Sequence, residues 1–177
     1  MNSFKRISPR FLLLCMAIHF QSFGQVSKKG EKELNSIFQV EYITEPIKLS
    51  EQQKNSLPLK ISDNTFFKIK NNGQLIGYAY IGTAPSKDNF FDYLVVFDKD
   101  LIISKIKVLT YRENYGGEIS SKRWLQQFTG KTKGDKLLYE KDIIAISGAT
   151  ISANSLTTAV NNLLNSIAIL QQQNVFK

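Results

Sequence analysis

The chain of 177 residues has one cysteine, one histidine and two methionines, and all four lie within its first 19 residues. The rest of the chain therefore excludes disulfides, Cys or His metal sites, Cys–His nucleophilic pairs and Ser-His-Asp triads, and any redox chemistry there must be carried by a bound group. The net charge of +8 is spread along the chain, so it does not indicate a nucleic-acid-binding patch.

The first 24 residues have the layout of a secretory signal peptide. Three basic residues precede an apolar run at residues 11–18, and small residues precede a cleavage site before Gln25. The run is shorter than the roughly 20 apolar residues that a membrane-spanning helix needs. We therefore expect an exported protein of the periplasm or cell envelope, whose mature chain 25–177 is one domain and, without those basic residues, has a net charge of +5.

The next part of the chain predicts two short helices followed by strands. Apolar residues at helical spacing indicate a helix ending near residue 38. A second helix is indicated at residues 49–57, with Ser50 as the expected N-cap and Glu51 in its first turn. β-Branched and aromatic residues then predict strands with a tight hairpin turn at Asn71-Asn72-Gly73. The predicted strands are residues 66–70, 74–82, 91–97 and 101–111. The simplest fold is α+β, an antiparallel meander sheet of at least four strands with helices packed at its ends and on one face.

Two further elements are predicted before the last helix. Ser120 or Ser121 is expected to cap a helix that ends near Phe128. Residues 137–146 have the pattern of a short strand or an extended segment. No internal repeat or second domain boundary is evident, so these elements belong to the same domain.

The candidate binding site is the corner before a long amphipathic helix predicted over residues 151–170, which Ser147 is expected to open. Backbone N–H groups are free at a helix N-terminus, and the helix dipole there favours anions. Gly148 and Ala149 allow a bulky group to approach the main chain, so the corner is suited to hold a phosphate beside the Thr150 hydroxyl. The alternative is that Ser147 or Thr150 only caps the helix.

Five sequence elements, in order, resemble the FMN-binding domain that occurs in the sodium-translocating NADH:quinone reductase, in the Rnf complex and in related exported flavoproteins. They are IGYAYIG, FDYLVVFDKDLIISKIKVL, YRENYGGEI, KRWLQQFTGK and ISGATIS, and the resemblance extends over residues 77–167. In that family a flavin transferase uses FAD to attach FMN through a phosphoester bond to the last threonine of the final motif. The resemblance therefore implies FMN as cofactor, covalently bound at Thr150.

The chain departs from the family pattern near this motif. The transferase target usually has an acidic residue three positions before the first hydroxyl, and here that position is Ile144. The nearest acid is Asp142. Two outcomes stay open: the transferase tolerates the change, or FMN binds without a covalent bond.

The loop and helix at residues 112–124 supply the other candidate cofactor-binding residues. Gly116 and Gly117, with Glu113 nearby in the sequence, are suited to bring backbone N–H groups up to the flavin ring or the phosphate. The alternative is that this loop is an ordinary turn with solvated acids. Trp124 is a candidate to stack on the flavin, or else a core or rim aromatic. On the first interpretation the flavin ring lies against the sheet and this region.

The leading hypothesis is an exported electron carrier or redox-complex component rather than a stand-alone catalyst, because no acid–base pair is recognisable. Its expected partners are a flavin transferase and a membrane or periplasmic redox protein, with no nucleic acid. The alternative is a flavin-free exported binding or interaction module. An acyl-transfer enzyme using Ser147 is disfavoured, because the mature chain has no histidine and Ser147 does not begin a Ser-x-x-Lys arrangement.

Overall fold

A computed structural model describes residues 26–176, so the predicted signal peptide lies outside the described residues. Five antiparallel strands form one sheet in the order β1-β2-β3-β4-β5. They are β1 (Ile43–Pro46), β2 (Phe66–Asn71), β3 (Gln74–Pro85), β4 (Phe90–Phe97) and β5 (Ile103–Thr110). Because each strand pairs with its neighbour in sequence, the sheet is a meander, which confirms the predicted α+β fold class.

Four of the strands match the predicted ones, and the hairpin turn between β2 and β3 lies where Asn72 and Gly73 were expected to place it. Both residues have positive φ, 47° and 79°, as the two central positions of such a turn require. The fifth strand, β1, was not predicted. It has only four residues, ITEP, and it pairs only with β2, so it is an edge strand in which Pro46 is tolerated.

Helices cover both faces of the sheet. On one face lies α1 (Lys28–Phe38), whose Leu34 is fully buried in a cluster with Phe67 and Leu94. On the other face lies α4 (Thr150–Gln172), with eleven buried residues along its length. The expected helix layer is therefore present, and α1 adds a second one. No helix within residues 26–176 has the length and apolar composition needed to cross a membrane.

Two short helices form as their caps predict. Ser50 caps α2 (Glu51–Asn55) in a reciprocal capping box with Gln53. Ser121 caps α3 (Lys122–Leu125), which continues as a 3₁₀ turn to Phe128. Residues 137–146, predicted as a short strand or an extended segment, form no regular strand: one isolated bridge joins Tyr139 to Ile143 around a turn at residues 140–142, and the other residues have no regular secondary structure.

Candidate functional site: the corner before α4 and its cleft

The last helix begins at Thr150, so the prediction that Ser147 opens it is wrong. Its N-cap is Ala149, which makes no side-chain capping bond. Gly148 has a φ of +78°, a left-handed conformation that turns the chain between Ser147 and the helix. Ser147 and Thr150 are both exposed, and neither hydroxyl makes a hydrogen bond to another described residue. The two hydroxyls therefore do not act as caps, and the Thr150 hydroxyl is accessible.

The loop after β5 contacts this corner through Gly116. Gly116 has a φ of +75°, and a Cβ added to it would lie 2.9 Å from the carbonyl oxygen of Gly148 and 3.3 Å from the Cβ of Ala149. It would also lie 2.9 Å from the hydroxyl of Tyr111. Only glycine fits this contact without a shift of its neighbours. Gly117, by contrast, faces open space.

Hydrogen bonds join the first turns of α4 to the ends of two strands. The Tyr111 hydroxyl, just after β5, lies 3.0 Å from the Ser152 hydroxyl. The Ser155 hydroxyl donates to the carbonyl of Pro85, the last residue of β3, and lies 3.0 Å from the Ser152 carbonyl. The position of Thr150 is therefore set by the sheet as well as by its own helix.

Thr150 lies on the wall of an open cleft of about 500 Å³. This volume falls within the range of about 300–1,000 Å³ that is typical of small-molecule sites. One wall is α4, and the other is the end of β3 together with the loop after α2. The lining residues, none of them charged, are Leu59, Thr83, Ala84, Pro85, Thr150, Ile151, Asn154, Ser155, Thr158, Ala159 and Asn162.

The carboxylate of Glu113 is engaged by the loop between β3 and β4. It accepts hydrogen bonds from the Ser86 hydroxyl and from the backbone N–H groups of Asp88, at 2.8 Å, and Asn89, at 3.0 Å. These bonds, that from Ser86 first, hold the pKa of Glu113 below its ordinary value because they stabilise the charged form. Glu113 thus links two loops near the corner, and a direct contact with a cofactor stays a prediction.

Trp124 is buried, and its indole N–H donates to the carbonyl of Ile144 at 2.7 Å. The N–H of Ile144 donates to the side-chain oxygen of Gln127 at 2.8 Å, so the backbone of residue 144 is held on both sides. The Ile144 side chain is 73% exposed. Asp142, the nearest acid to the motif, accepts from the N–H of Leu138 at 2.9 Å and stabilises the preceding turn. Stacking of Trp124 on a flavin remains a prediction.

Sequence reasoning missed most of the cleft. Leu59 and Thr83 reach it from distant parts of the chain, which no local pattern reveals. Asn154, Thr158 and Asn162 follow Thr150 at intervals of four residues, and this spacing of polar residues on one side of a helix was a readable signal.

Taken together, a turned helix N-terminus with free N–H groups, an accessible hydroxyl and an adjoining cleft have the features expected of a site for a small phosphate-bearing ligand. Residues 90–165 match the family model of the FMN-binding domain. This part of the chain, which contains β4, β5 and Thr150, is therefore similar to FMN-binding domains, and the match supports FMN as the cofactor. A comparison with curated proteins gave no match.

Proposed function

We propose that this protein is an exported electron carrier that binds FMN in the cleft and holds it through a phosphoester bond to Thr150. The observation that carries the proposal is the position of Thr150. Its hydroxyl is accessible, makes no capping bond and borders a cleft of suitable size, and Thr150 itself lies within the FMN-binding domain match.

Different residues of the site are suited to different parts of FMN. The N–H groups at the start of α4 and the turn at Gly148 suit the phosphate. The cleft suits the flavin ring, because apolar side chains such as Leu59 and Pro85 line it beside polar ones. FMN, when bound, supplies the transfer of one or two electrons. No charged side chain lines the cleft to act as acid or base, which favours a carrier over a catalyst.

Attachment is a group transfer from FAD that a flavin transferase carries out. The Thr150 oxygen attacks the phosphorus on the FMN side of the FAD pyrophosphate, and a new oxygen–phosphorus bond forms. The bond between that phosphorus and the bridging oxygen breaks, AMP leaves with that oxygen, and the hydroxyl proton is released. The chain gains the mass of FMN less one water, with no change in oxidation state.

The proposed partners are the flavin transferase and a redox protein of the membrane or periplasm. Ile144 and Ile151, which flank the corner, are 73% and 53% exposed. Exposed apolar side chains beside a site are suited to protein contact. Export itself is tested by cell fractionation and by N-terminal sequencing of the mature chain, which is expected to begin at Gln25.

Coexpression with a flavin transferase in an exporting host tests the covalent bond. We expect flavin fluorescence that stays with the denatured chain in a gel, together with the mass increment given above. Thr150→Ala is expected to abolish both, whereas Ser147→Ala, which removes the other exposed hydroxyl of the corner, is expected to retain the mass increment.

The other outcomes of this experiment separate the alternatives. A yellow protein that releases its flavin on denaturation would show noncovalent binding, the outcome that Ile144 in place of an acid leaves open. A colourless wild-type protein that also fails to bind added FMN would rule out the carrier and favour a flavin-free module.

A further inference from the structure

The cleft side of α4 has a row of polar side chains that begins at Thr150. Asn154, Thr158 and Asn162 follow at intervals of four residues and all line the cleft. Four residues advance an α-helix by about 6 Å and bring the side chain back to nearly the same side, so the row extends about 18 Å from Thr150 to Asn162. None of the side chains of these three residues makes a hydrogen bond to another residue in the described range 26–176. Their donors and acceptors are available to a ligand.

The opposite wall is different in character. Leu59, Ala84 and Pro85 present apolar surface there, beside one polar residue, Thr83. α4 itself contributes two apolar residues to the cleft, Ile151 and Ala159. A cleft with one mainly polar and one mainly apolar wall matches a flat aromatic ring system that has apolar faces and one polar edge. The flavin ring has this character, because its pyrimidine edge bears carbonyl and N–H groups and its ribityl chain bears hydroxyls.

The length of FMN fits the row. Eight bonds separate the Thr150 oxygen from the ring nitrogen that carries the ribityl chain, and at about 1.5 Å per bond a zigzag chain spans roughly 10 Å. The ring then begins between Asn154 and Thr158 and extends towards Asn162. A phosphate held at Thr150 thus places the ribityl hydroxyls near Asn154.

We propose that α4 itself is the binding track for the flavin, with Asn154 hydrogen-bonded to the ribityl hydroxyls and with Thr158 and Asn162 bound to the polar edge of the ring. This inference rests on the proposed function, and it adds where the flavin ring lies relative to Thr150: along α4, towards Asn162. The region at residues 112–124 is the competing location. There the Glu113 carboxylate and the Trp124 N–H are already engaged, and neither side chain lines the cleft.

The proposal is tested by measuring noncovalent FMN binding to the mature chain, which is produced in cells without a flavin transferase. Asn162→Leu and Thr158→Val remove the polar groups that face the cleft. Asn→Leu also favours the helix, so loss of folding does not explain a loss of binding there. Asn165→Leu is the matched control, because Asn165 is an exposed residue of α4 that does not line the cleft. Gly117→Leu probes the competing location, since a side chain there enters open space.

We expect Asn162→Leu to weaken FMN binding about tenfold, the effect of losing one or two net hydrogen bonds, and Thr158→Val about fivefold. The visible circular dichroism of the bound flavin is expected to change in both variants and not in Asn165→Leu. Wild-type affinity and dichroism in Asn162→Leu and Thr158→Val would overturn the inference, as would a loss confined to Gly117→Leu. Wild-type protein that binds no FMN would overturn the proposed function and this inference with it.

Discussion

Replacing Gly116 by alanine tests the contact that joins the loop after β5 to the corner before α4. The added Cβ would meet the Gly148 carbonyl oxygen and the Tyr111 hydroxyl, both at 2.9 Å. Contacts this short force a shift, and one of the two atoms belongs to the backbone of the corner itself. We therefore expect Gly116→Ala to destabilise the fold and to displace residues 148–150.

The expected loss of folding stability in Gly116→Ala has two parts, and alanine variants of two other glycines measure them separately. A left-handed φ costs a residue with a Cβ about 1–2 kcal/mol. Gly130 has a φ of +83° with open space around it, so Gly130→Ala should show this cost alone. Forcing a methyl group into a packed contact costs about 1–3 kcal/mol more. Gly116→Ala should therefore lose about 2–5 kcal/mol, and Gly117→Ala, which has neither problem, close to nothing.

Urea unfolding of the three flavin-free variants measures these differences, and the covalent flavin yield after coexpression with a transferase reports the position of Thr150. We expect the yield to fall in Gly116→Ala and to stay near wild type in Gly130→Ala, provided that both are assayed while folded. Equal losses of stability in these two variants, with equal flavin yields, would refute the proposed packing of Gly116 on the corner.

Three further predictions test other contacts. Glu113→Gln should destabilise the protein most near neutral pH. Because the pKa of Glu113 is lowered in the folded state, its carboxylate stabilises the fold above the unfolded-state pKa of about 4.3, and this contribution is lost as pH falls through the folded-state pKa. The stabilities of wild type and variant, measured across pH 3–7, should therefore converge in acid. Parallel stability curves would contradict this role. Gly82→Ala should cost about 1–3 kcal/mol in urea unfolding, because its Cβ would lie 2.6 Å from the buried Tyr80 ring and 2.8 Å from that of Tyr93, and an unchanged midpoint would contradict that packing. Ile144→Asp should raise the rate of covalent attachment in a coexpression time course without loss of stability, because the side chain is 73% exposed, and Ile151→Asp is the exposed comparison on the other side of the motif. A rate no higher than wild type would show that the acid is not required.

The strands and the helix caps could be predicted because their signals are local. Alternation of β-branched and aromatic residues marked four strands, and Ser50 and Ser121 act as caps where predicted. β1 was missed because four residues that include a proline carry no periodicity, and pairing with β2 alone makes them a strand.

The candidate site was predicted only in part, since its geometry depends on contacts between distant residues. The motif pointed to Thr150, but the start of α4 was misplaced because the left-handed turn at Gly148 is a backbone state that spacing does not show. The partners of Glu113 lie 24–27 residues away in the sequence, and so its hydrogen bonds could not be read locally. The wall formed by Leu59 comes from a loop with no motif.

The hold on the backbone of Ile144 has a consequence for the order of maturation. Trp124 and Gln127 bind the carbonyl and the N–H of that residue, and Gly116 packs against the turn that follows it. We therefore expect residues 144–150 to reach this conformation only after the sheet and α3 have assembled. A transferase that acts on Thr150 therefore meets a finished tertiary structure rather than an extended peptide. On the proposed function, flavin attachment is then expected to follow folding, and a short peptide with the same motif should be a poor acceptor.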